Sequence, residues 1–180
     1  YSDKIRVIMK LQENLHWALG RDRKRASIGV YDLDTLKGKR FRYAGVEPEG
    51  LTFAPLGTGL EEQWTPSRVL AEHPKGTAYA RLIQQLPRFP LLSDEQAQVM
   101  ALIPIINSES TKVSKSSRNF FIDVTGVEER IVDKTLNTIV TSMLELDPEA
   151  RLETVVIDDG SRQRHTPDLT PQIASLDPQR

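Results

Sequence analysis

The richest polar stretch of the sequence is "PIINSESTKVSKSSRNFFIDVTG", which places Ser, Thr, Asn and Lys between two apolar segments. Alternate side chains of a β-strand share a face, so a strand over "FFIDVTG" points Asp123 and Thr125 the same way. If Ile122 and Val124 face the core, the carboxylate of Asp123 and the hydroxyl of Thr125 line a second surface. Asn107 could approach that surface from a neighbouring strand. The same residues could instead cap strand ends and satisfy turns, and composition alone favours this simpler interpretation.

Other candidates for chemistry are weaker. His73 in "EHPKG" could be a general base, although a lone histidine at a helix break is more often a capping or surface group. The basic run "RDRKR" could hold phosphates, although short basic runs usually form solvated turns. Asp32 and Asp34 end a predicted strand, where carboxylates commonly hold turns. The sequence has no phosphate-loop, dinucleotide, HExxH or GxSxG signature, so no motif indicates nucleotide, zinc or nucleophile-elbow chemistry.

The composition limits the class of protein. A chain of 180 residues with 38% hydrophobic residues fits one globular domain. Its 24 Lys and Arg against 25 Asp and Glu give a formal charge of -1, so any contact with nucleic acid must be local. With no cysteine and three scattered histidines, it offers neither a disulfide framework nor a ligand cluster. No apolar run reaches membrane-spanning length and no signal-peptide pattern opens the chain, so we expect a soluble, cytoplasmic protein.

Helical and strand patterns follow one another without regular β-α-β alternation, which predicts an α+β fold. Helical periodicity predicts a helix over residues 2–19 and a second over 67–86, divided at His73 because Pro74 disfavours a helical conformation there. A third helix covers "VEERIVDKTLNTIVTSMLEL". We expect "KRFRYAGV" and "EGLTFAPL" to pair with each other. Further strands are predicted at "ASIGVYDLDTL", and, as buried strands, at "FPLLSD", "VMALIPIIN", "RNFFIDVTG" and "LETVVIDDG".

Four segments of the chain resemble one known family. "ASIGVYDLDTL", "LAEHPKGTAYA", the "PIIN" to "DVTG" stretch and "TPDL" are similar, in that order, to the β subunit of phenylalanyl-tRNA synthetase of the archaeal and eukaryotic type, across its amino-acid editing domain. The resemblance implies a three-layer α+β editing domain with a β-sandwich of mixed strands and packed helices. It places this domain at residues 1–166 and the start of a linker to the next domain at 167–180. The non-Met start and the "TPDL" tail lead us to expect an excised fragment.

In that family the domain hydrolyses the tyrosyl ester of mischarged tRNA(Phe). A pocket built for phenylalanine cannot strongly reject a side chain that merely adds a hydroxyl, whereas a second pocket that hydrogen-bonds this hydroxyl can exclude phenylalanine. Carried over by motif position, the resemblance assigns catalytic roles to Asp123 and Thr125, with a positioned water as the attacking group. It assigns substrate binding to Leu92, Ala101, Asn107 and Asp123. Which of Asn107 and Asp123 takes the phenol hydroxyl and which the α-ammonium stays open.

The resemblance also implies partners and cofactors. It implies no metal or cofactor in this domain, and ATP and magnesium for the full synthetase. The implied partners are the 3′ end of tRNA(Phe) carrying tyrosine and the α subunit of a heterotetramer, with no membrane. The family often has Ser at the position of Ala101, a Met-Pro pair at Leu102 and Ile103, and His at Tyr31, and these differences bear on the geometry of the pocket.

Two alternatives to an active editing domain remain. The chain could be a non-catalytic tRNA-binding or subunit-packing module whose editing activity has decayed, for which Ala101 is the best support. It could also be a free-standing editing protein, although the non-Met start and the "TPDL" tail weigh against this interpretation.

Overall fold

The structure is a computed structural model that describes residues 2–169. Four helices and eight strands are found in this range. The helices are α1 (Ser2–Ala18), α2 (Pro66–Glu72), α3 (Pro74–Tyr79) and α4 (Glu129–Leu146). The strands are β1 (Ala26–Asp32), β2 (Arg42–Val46), β3 (Phe89–Ser93), β4 (Val99–Leu102), β5 (Ile106–Asn107), β6 (Phe120–Gly126), β7 (Val155–Asp158) and β8 (Gln163–Thr166).

Two sheets face each other at the centre of the fold. β1 pairs with β6, while β2, β3, β4 and β5 form a second sheet in that order, and every pair within these sheets is antiparallel. Between the sheets lies a core cluster of Tyr31, Leu36, Leu92, Met100, Ala101 and Ile103. The two sheets therefore form a β-sandwich with side chains of β1, β3 and β4 packed inside it.

Helices cover both outer faces of the sandwich. Outside β1 and β6, α1 and α4 contribute to a cluster of Leu15, Ile28, Val30, Leu136, Ile139 and Val140. Outside the four-stranded sheet, Val69 and Leu70 of α2 pack with Leu91, Leu102 and Ile106. Helix, sandwich and helix follow one another as three layers, which confirms the predicted α+β class.

The predicted helices are confirmed, with one difference in length. α1 and α4 occupy the predicted segments, and the second helical segment is divided at His73. The Nδ1 atom of His73 accepts a hydrogen bond from the N–H of Lys75 at 3.1 Å, so this histidine caps α3. α3 ends at Tyr79 and a short 3₁₀ turn follows at 80–82, so the helical segment stops before the predicted residue 86.

Two predictions about strands are wrong. "KRFRYAGV" does not pair with "EGLTFAPL": β2 pairs with β3, because Phe53 turns into the core beneath α2 and the later segment contributes only isolated bridges. "LETVVIDDG" is not a buried strand, since Val155, Val156 and Ile157 are 37%, 49% and 42% exposed. Within residues 2–169, β7 pairs only with β8, and a two-stranded hairpin does not form a buried sheet on its own.

The predicted boundary after residue 166 stays a prediction. Asn137 of α4 donates to the carbonyl oxygen of Asp168 at 2.7 Å, and Leu169 packs beside the cluster under α4. Tyr1 and residues 170–180 lie outside the described residues. Within residues 2–169, no helix has the length and apolar content needed to cross a bilayer.

Side chains cover the free edge of β1. Gln12 of α1 donates to the carbonyl oxygen of Ile28 at 2.8 Å, and the Nε2 atom of His16 accepts from the N–H of Ile28 at 2.8 Å. Asn107 of β5 donates to the carbonyl oxygen of Val30 at 3.3 Å. Backbone groups that an edge strand usually leaves unpaired are thus bonded to α1 and β5.

His16 makes the stability of the fold sensitive to acid. The side chain is buried, and burial together with the nearby Arg23 lowers its pKa from 6.5 to about 4. As the pH falls from 6.5 to 4, the unfolded chain binds a proton that the folded domain does not, so we expect the free energy of unfolding to fall by up to roughly 3 kcal/mol. Urea midpoints at pH 7, 5.5 and 4.5 measure this loss.

The variant His16→Gln should keep an acceptor for the N–H of Ile28 without titrating. We expect its urea midpoint to fall less than that of the parent over this pH range. His165→Gln, which replaces an exposed imidazole, should follow the parent. Parallel midpoints for all three proteins would contradict a role for His16.

Candidate functional site

Three of the predicted substrate-binding residues lie side by side on the four-stranded sheet. Leu92 of β3 pairs directly with Ala101 of β4, and Ala101 pairs with Asn107 of β5. Directly paired residues of antiparallel strands point to the same face. Leu92 and Ala101 belong to the cluster inside the sandwich, so the row faces β1 and β6.

Asp123 and Thr125 share the inner face of β6, as strand alternation predicts. Ile122 and Val124, on the other face of the strand, pack outward against the cluster beneath α1 and α4. Asp123 is paired with Gly29 of β1, and Thr125 is paired with Ser27. The two predicted catalytic side chains therefore point into the sandwich, toward the row formed by Leu92, Ala101 and Asn107.

The carboxylate of Asp123 has one partner within the described residues. The phenol of Tyr31 donates to Oδ1 at 2.5 Å, while Oδ2 is buried and has no hydrogen-bond partner. Burial raises the pKa of Asp123 from 3.8 to about 6, and the hydrogen bond from Tyr31 opposes this rise. A buried carboxylate oxygen without a donor is costly in a folded domain, which is why such atoms are typical of sites that receive a ligand.

The charge of Asp123 contributes to a raised pKa of two tyrosines. The pKa of Tyr31 is raised far above its ordinary value by complete burial and by the neighbouring carboxylate. The pKa of Tyr43 on β2 is also raised, first by partial burial and then by the charge of Asp123. Tyr43 is 57% exposed and is paired with Leu92, and the effect of Asp123 on its pKa indicates that this part of β2 lies near Asp123.

A cavity of about 490 Å³ lies between the sheets at the covered edge of β1. Its wall includes Gln12 and Glu13 of α1, Ser27 and Gly29 of β1, and Ala101 and Asn107 of β4 and β5. The volume is within the range of roughly 300–1,000 Å³ that small-molecule sites occupy. Both sheets contribute a small residue to the wall, Gly29 from β1 and Ala101 from β4.

The predicted site residues divide into two groups around this cavity. Ala101 and Asn107 are part of its wall. Leu92, Asp123 and Thr125 lie beside it, each paired with a residue that is in the wall. Asp123 lies directly against Gly29, because a β-carbon at Gly29 would overlap its Oδ1 atom.

Basic side chains line the outer part of the cavity. Lys75 and Lys112 are exposed and belong to the wall, and Lys112 forms an ion pair with Glu109. Arg23 is also in the wall, but its guanidinium donates to the carbonyl oxygens of Pro104 and Ile105 at 3.0 and 2.9 Å. The exposed lysines are therefore better placed than Arg23 to meet a phosphate.

The run "RDRKR" serves mainly as a structural turn. Arg23 is bonded to the turn between β4 and β5, and Arg25 forms a double hydrogen bond with Glu128 at 2.7 to 3.0 Å. Asp22 pairs with Arg81 at 2.7 Å. Arg21 and Lys24 are exposed. A phosphate contact at this run therefore stays a prediction, and it now concerns only Arg21 and Lys24.

The weaker candidates hold turns. Oδ1 of Asp32 accepts from the N–H of Asp34 at 3.1 Å, and its Oδ2 accepts from the hydroxyl of Ser117 at 2.5 Å. Asp34 accepts from the amide of Asn119 at 2.9 Å. His73 caps α3, and burial lowers its pKa. No group of three His, Asp or Glu side chains that could hold a metal ion is found among residues 2–169.

Sequence reasoning missed Gly29 as part of the site and the contact between Tyr31 and Asp123. A glycine inside a strand often marks a place where another group approaches the backbone closely, so "SIGVYD" contained a signal for Gly29. The contact of Tyr31 with Asp123 joins residues 92 positions apart. It depends on the pairing register of β1 with β6, which neither strand specifies alone.

Comparisons with known proteins agree on one family. The B3/4 domain family matches residues 5–146. A phenylalanine–tRNA ligase β subunit from Methanococcus vannielii is 44% identical over 169 residues, which are 94% of this chain and 29% of the relative. The corresponding subunit from Methanocorpusculum labreanum is 42% identical over 168 residues, which are 93% of this chain and 29% of the relative. The chain thus spans under a third of the length of these relatives.

A solved structure has the same fold. It is an N-terminal fragment of the phenylalanyl-tRNA synthetase β-subunit from Pyrococcus horikoshii, with a TM-score of 0.85 and 36% sequence identity. The likeness covers 92% of this chain and 46% of that one. The three-layer arrangement of helices around a β-sandwich is therefore shared with that fragment.

Proposed function

This chain belongs to the B3/4 domain family, and from that premise we propose that it is the amino-acid editing domain of a phenylalanine–tRNA ligase β subunit. Its proposed reaction is hydrolysis of the tyrosyl ester of mischarged Tyr-tRNA(Phe). The observation that carries the proposal is the cavity between the sheets, which has Asn107 in its wall and the unsatisfied carboxylate of Asp123 beside it. Such a site suits a small ligand with hydrogen-bonding groups at both ends.

In this proposal Asn107 and Asp123 bind the two polar ends of tyrosine. Asn107 lies at one edge of β1, and Asp123 lies on the strand that pairs with the other edge. One N–H of Asn107 is used on Val30 at 3.3 Å, and its carbonyl oxygen accepts no hydrogen bond from the described residues. The ring hydroxyl and the α-ammonium of tyrosine are donors that suit these two acceptors.

Selectivity follows from burial of these polar groups. Phenylalanine would leave the acceptor for the ring hydroxyl buried and unpaired, which is why a site of this kind rejects the analogue that lacks the hydroxyl. Leu92, Ala101 and the small residues of β1 surround the aromatic ring. Thr125 and a water molecule act at the ester, and most of the rate comes from holding that water and the ester in reacting geometry.

The remaining partners belong to the whole enzyme in this proposal. The exposed Lys75 and Lys112 meet the phosphates near the 3′ end of tRNA(Phe), and the α subunit completes a heterotetramer in the cytoplasm. ATP and magnesium serve the synthetic reaction of the full ligase.

We expect the domain to release tyrosine from Tyr-tRNA(Phe) at least about tenfold faster than phenylalanine from Phe-tRNA(Phe), because only tyrosine satisfies the buried acceptor. Release of each amino acid from the two charged tRNAs measures this ratio. The assay is repeated at high domain concentration, because a near-neutral domain binds tRNA weakly. Equal release of both amino acids at the rate seen in buffer would favour the decayed module, which the missing hydroxyl at Ala101 supports.

A further inference from the structure

Tyr31 lies in the sandwich as a fixed partner of Asp123. Its side chain is completely buried and belongs to the cluster with Leu92 and Met100. Its ring also lies 6.1 Å from the ring of Phe121. A tyrosine held this way cannot leave without opening the core between the sheets, so its hydroxyl stays where the packing places it.

The contact between the two side chains is short and directional. The phenol of Tyr31 donates to Oδ1 of Asp123 at 2.5 Å, a length typical of a hydroxyl bonded to an ionised carboxylate. Gly29 makes room for this contact, because a β-carbon there would overlap both Oδ1 and the phenol oxygen. β1 therefore supplies the donor at position 31 and the space for it at position 29.

The other oxygen of the carboxylate has no donor. Oδ2 is buried, and no described residue donates to it. Of the two tyrosines whose pKa Asp123 raises, Tyr31 is completely buried and Tyr43 is 57% exposed. The Tyr31 side of the carboxylate is closed by the core, so Oδ2 is the oxygen of Asp123 that is left for a donor from a ligand.

We propose that Tyr31 is a positioning residue, which immobilises Oδ1 of Asp123 so that Oδ2 is the single acceptor this carboxylate offers to a donor of the bound amino acid. This inference rests on the proposed function for the identity of the ligand. Beyond the proposed function, the inference adds Tyr31, whose hydroxyl sets the orientation of the Asp123 carboxylate. A carboxylate free to rotate would accept donors in several geometries and would discriminate less between ligands.

The matched variants are Tyr31→Phe and Tyr43→Phe, because each removes one phenol oxygen near Asp123. Only Tyr31 is hydrogen-bonded to Asp123. We expect Tyr31→Phe to lower the preference for Tyr-tRNA(Phe) over Phe-tRNA(Phe) at least about tenfold, the effect of losing one positioned charge-assisted hydrogen bond. Tyr43→Phe should keep the parent preference. Tyr31→His, which restores a donor, should recover part of the loss.

The pH dependence gives a readout that packing alone would not change. Two titratable side chains face Asp123, Tyr31 from β1 and Tyr43 from β2. Only the hydrogen bond from Tyr31 lowers the pKa of Asp123. Without that bond, the midpoint of the rise in deacylation rate with pH should move upward from about 6 in Tyr31→Phe. It should stay in place in Tyr43→Phe.

A binding measurement separates this inference from the proposed function. The carboxyl ¹³C signal of Asp123 is followed by NMR during titration with tyrosine amide, and then with phenylalanine amide. If the parent hydrolyses neither ester but its Asp123 signal responds to tyrosine amide and loses this response in Tyr31→Phe, the proposed hydrolysis fails and the positioning role stands. If Tyr31→Phe only lowers the melting temperature and keeps the parent ligand response, substrate preference and pH midpoint, Tyr31 is a packing residue and the inference is wrong.

Discussion

Replacing Asp123 by Asn is expected to lower the rate of Tyr-tRNA(Phe) hydrolysis tenfold to hundredfold. The substitution keeps the shape of the side chain but removes the charged acceptor. Losing such a partner for an ammonium or phenol typically costs about 1.5 to 3 kcal/mol. Single-turnover deacylation at saturating domain concentration measures the effect on the chemical step.

The same variant is expected to be more stable than the parent at neutral pH. Burial raises the folded-state pKa of Asp123 to about 6 from an ordinary value of 3.8. As the pH rises from 3.8 to 6, the unfolded chain releases a proton that the folded domain keeps, so the parent loses up to roughly 3 kcal/mol of stability. Asn does not titrate. The stability gain should therefore grow between pH 4 and pH 6 and then level off.

Asp32→Asn is the control for this pair of effects. Asp32 is also buried, but both of its oxygens accept hydrogen bonds, from the N–H of Asp34 and from Ser117. We expect this variant to melt at a lower temperature and to retain the parent rate per folded molecule. If Asp123→Asn melted like the parent from pH 4 to pH 8 and cleared Tyr-tRNA(Phe) at the parent rate, Asp123 would not be a site residue.

Gly29→Ala is expected to reduce hydrolysis about a hundredfold. The added methyl group would overlap Oδ1 of Asp123 and the phenol oxygen of Tyr31, so the pair must separate or β1 must shift. A displacement of about 1 Å at a reacting site can cost a hundredfold in rate. Overpacking of this kind also typically costs about 1 to 3 kcal/mol of stability. Deacylation rates and urea midpoints measure the two losses.

Gly45→Ala is a matched control for the glycine substitution. Gly45 lies in β2 and is exposed, and the nearest atoms to a β-carbon there would be those of the Arg88 side chain, at 3.0 Å. This variant should keep the parent rate and nearly the parent stability. The double variant Gly29→Ala with Tyr31→Phe removes the phenol oxygen but leaves Oδ1 of Asp123 and the ring carbon Cζ of residue 31 in overlap, so it should recover part of the stability but not the rate. Parent activity in Gly29→Ala would show that the space above Gly29 is not needed.

Local patterns in the sequence predicted most helices and the orientation of β6. Period-two alternation in "FFIDVTG" was sufficient to predict that Asp123 and Thr125 lie on one face of the strand and Ile122 and Val124 on the other. The second face lies against helices. The helix break at His73 followed from the proline after it. Each of these features depends on residues that are close together in the chain.

Features that depend on distant partners could not be predicted in this way. β2 pairs with β3 across more than 40 residues, and the sequence of β2 does not specify that partner over the nearer apolar segment around Phe53. The site shows the same limit. The contact of Asn107 with Val30 and that of Tyr31 with Asp123 join strands from opposite halves of the chain, so the cavity between them exists only in the assembled sandwich.

The covered edge of β1 also bears on how this domain behaves at high concentration in acid. The N–H of Ile28 is bonded to neutral His16, and its carbonyl oxygen is bonded to Gln12 of the same helix. Protonated His16 cannot accept this hydrogen bond, so acid leaves the N–H of Ile28 without its partner in α1. A strand edge left unpaired in this way can pair with the same edge of a second molecule. Neutral His16 thus adds to the protection of this edge against pairing between molecules, and we expect that protection to weaken as the pH falls toward 4.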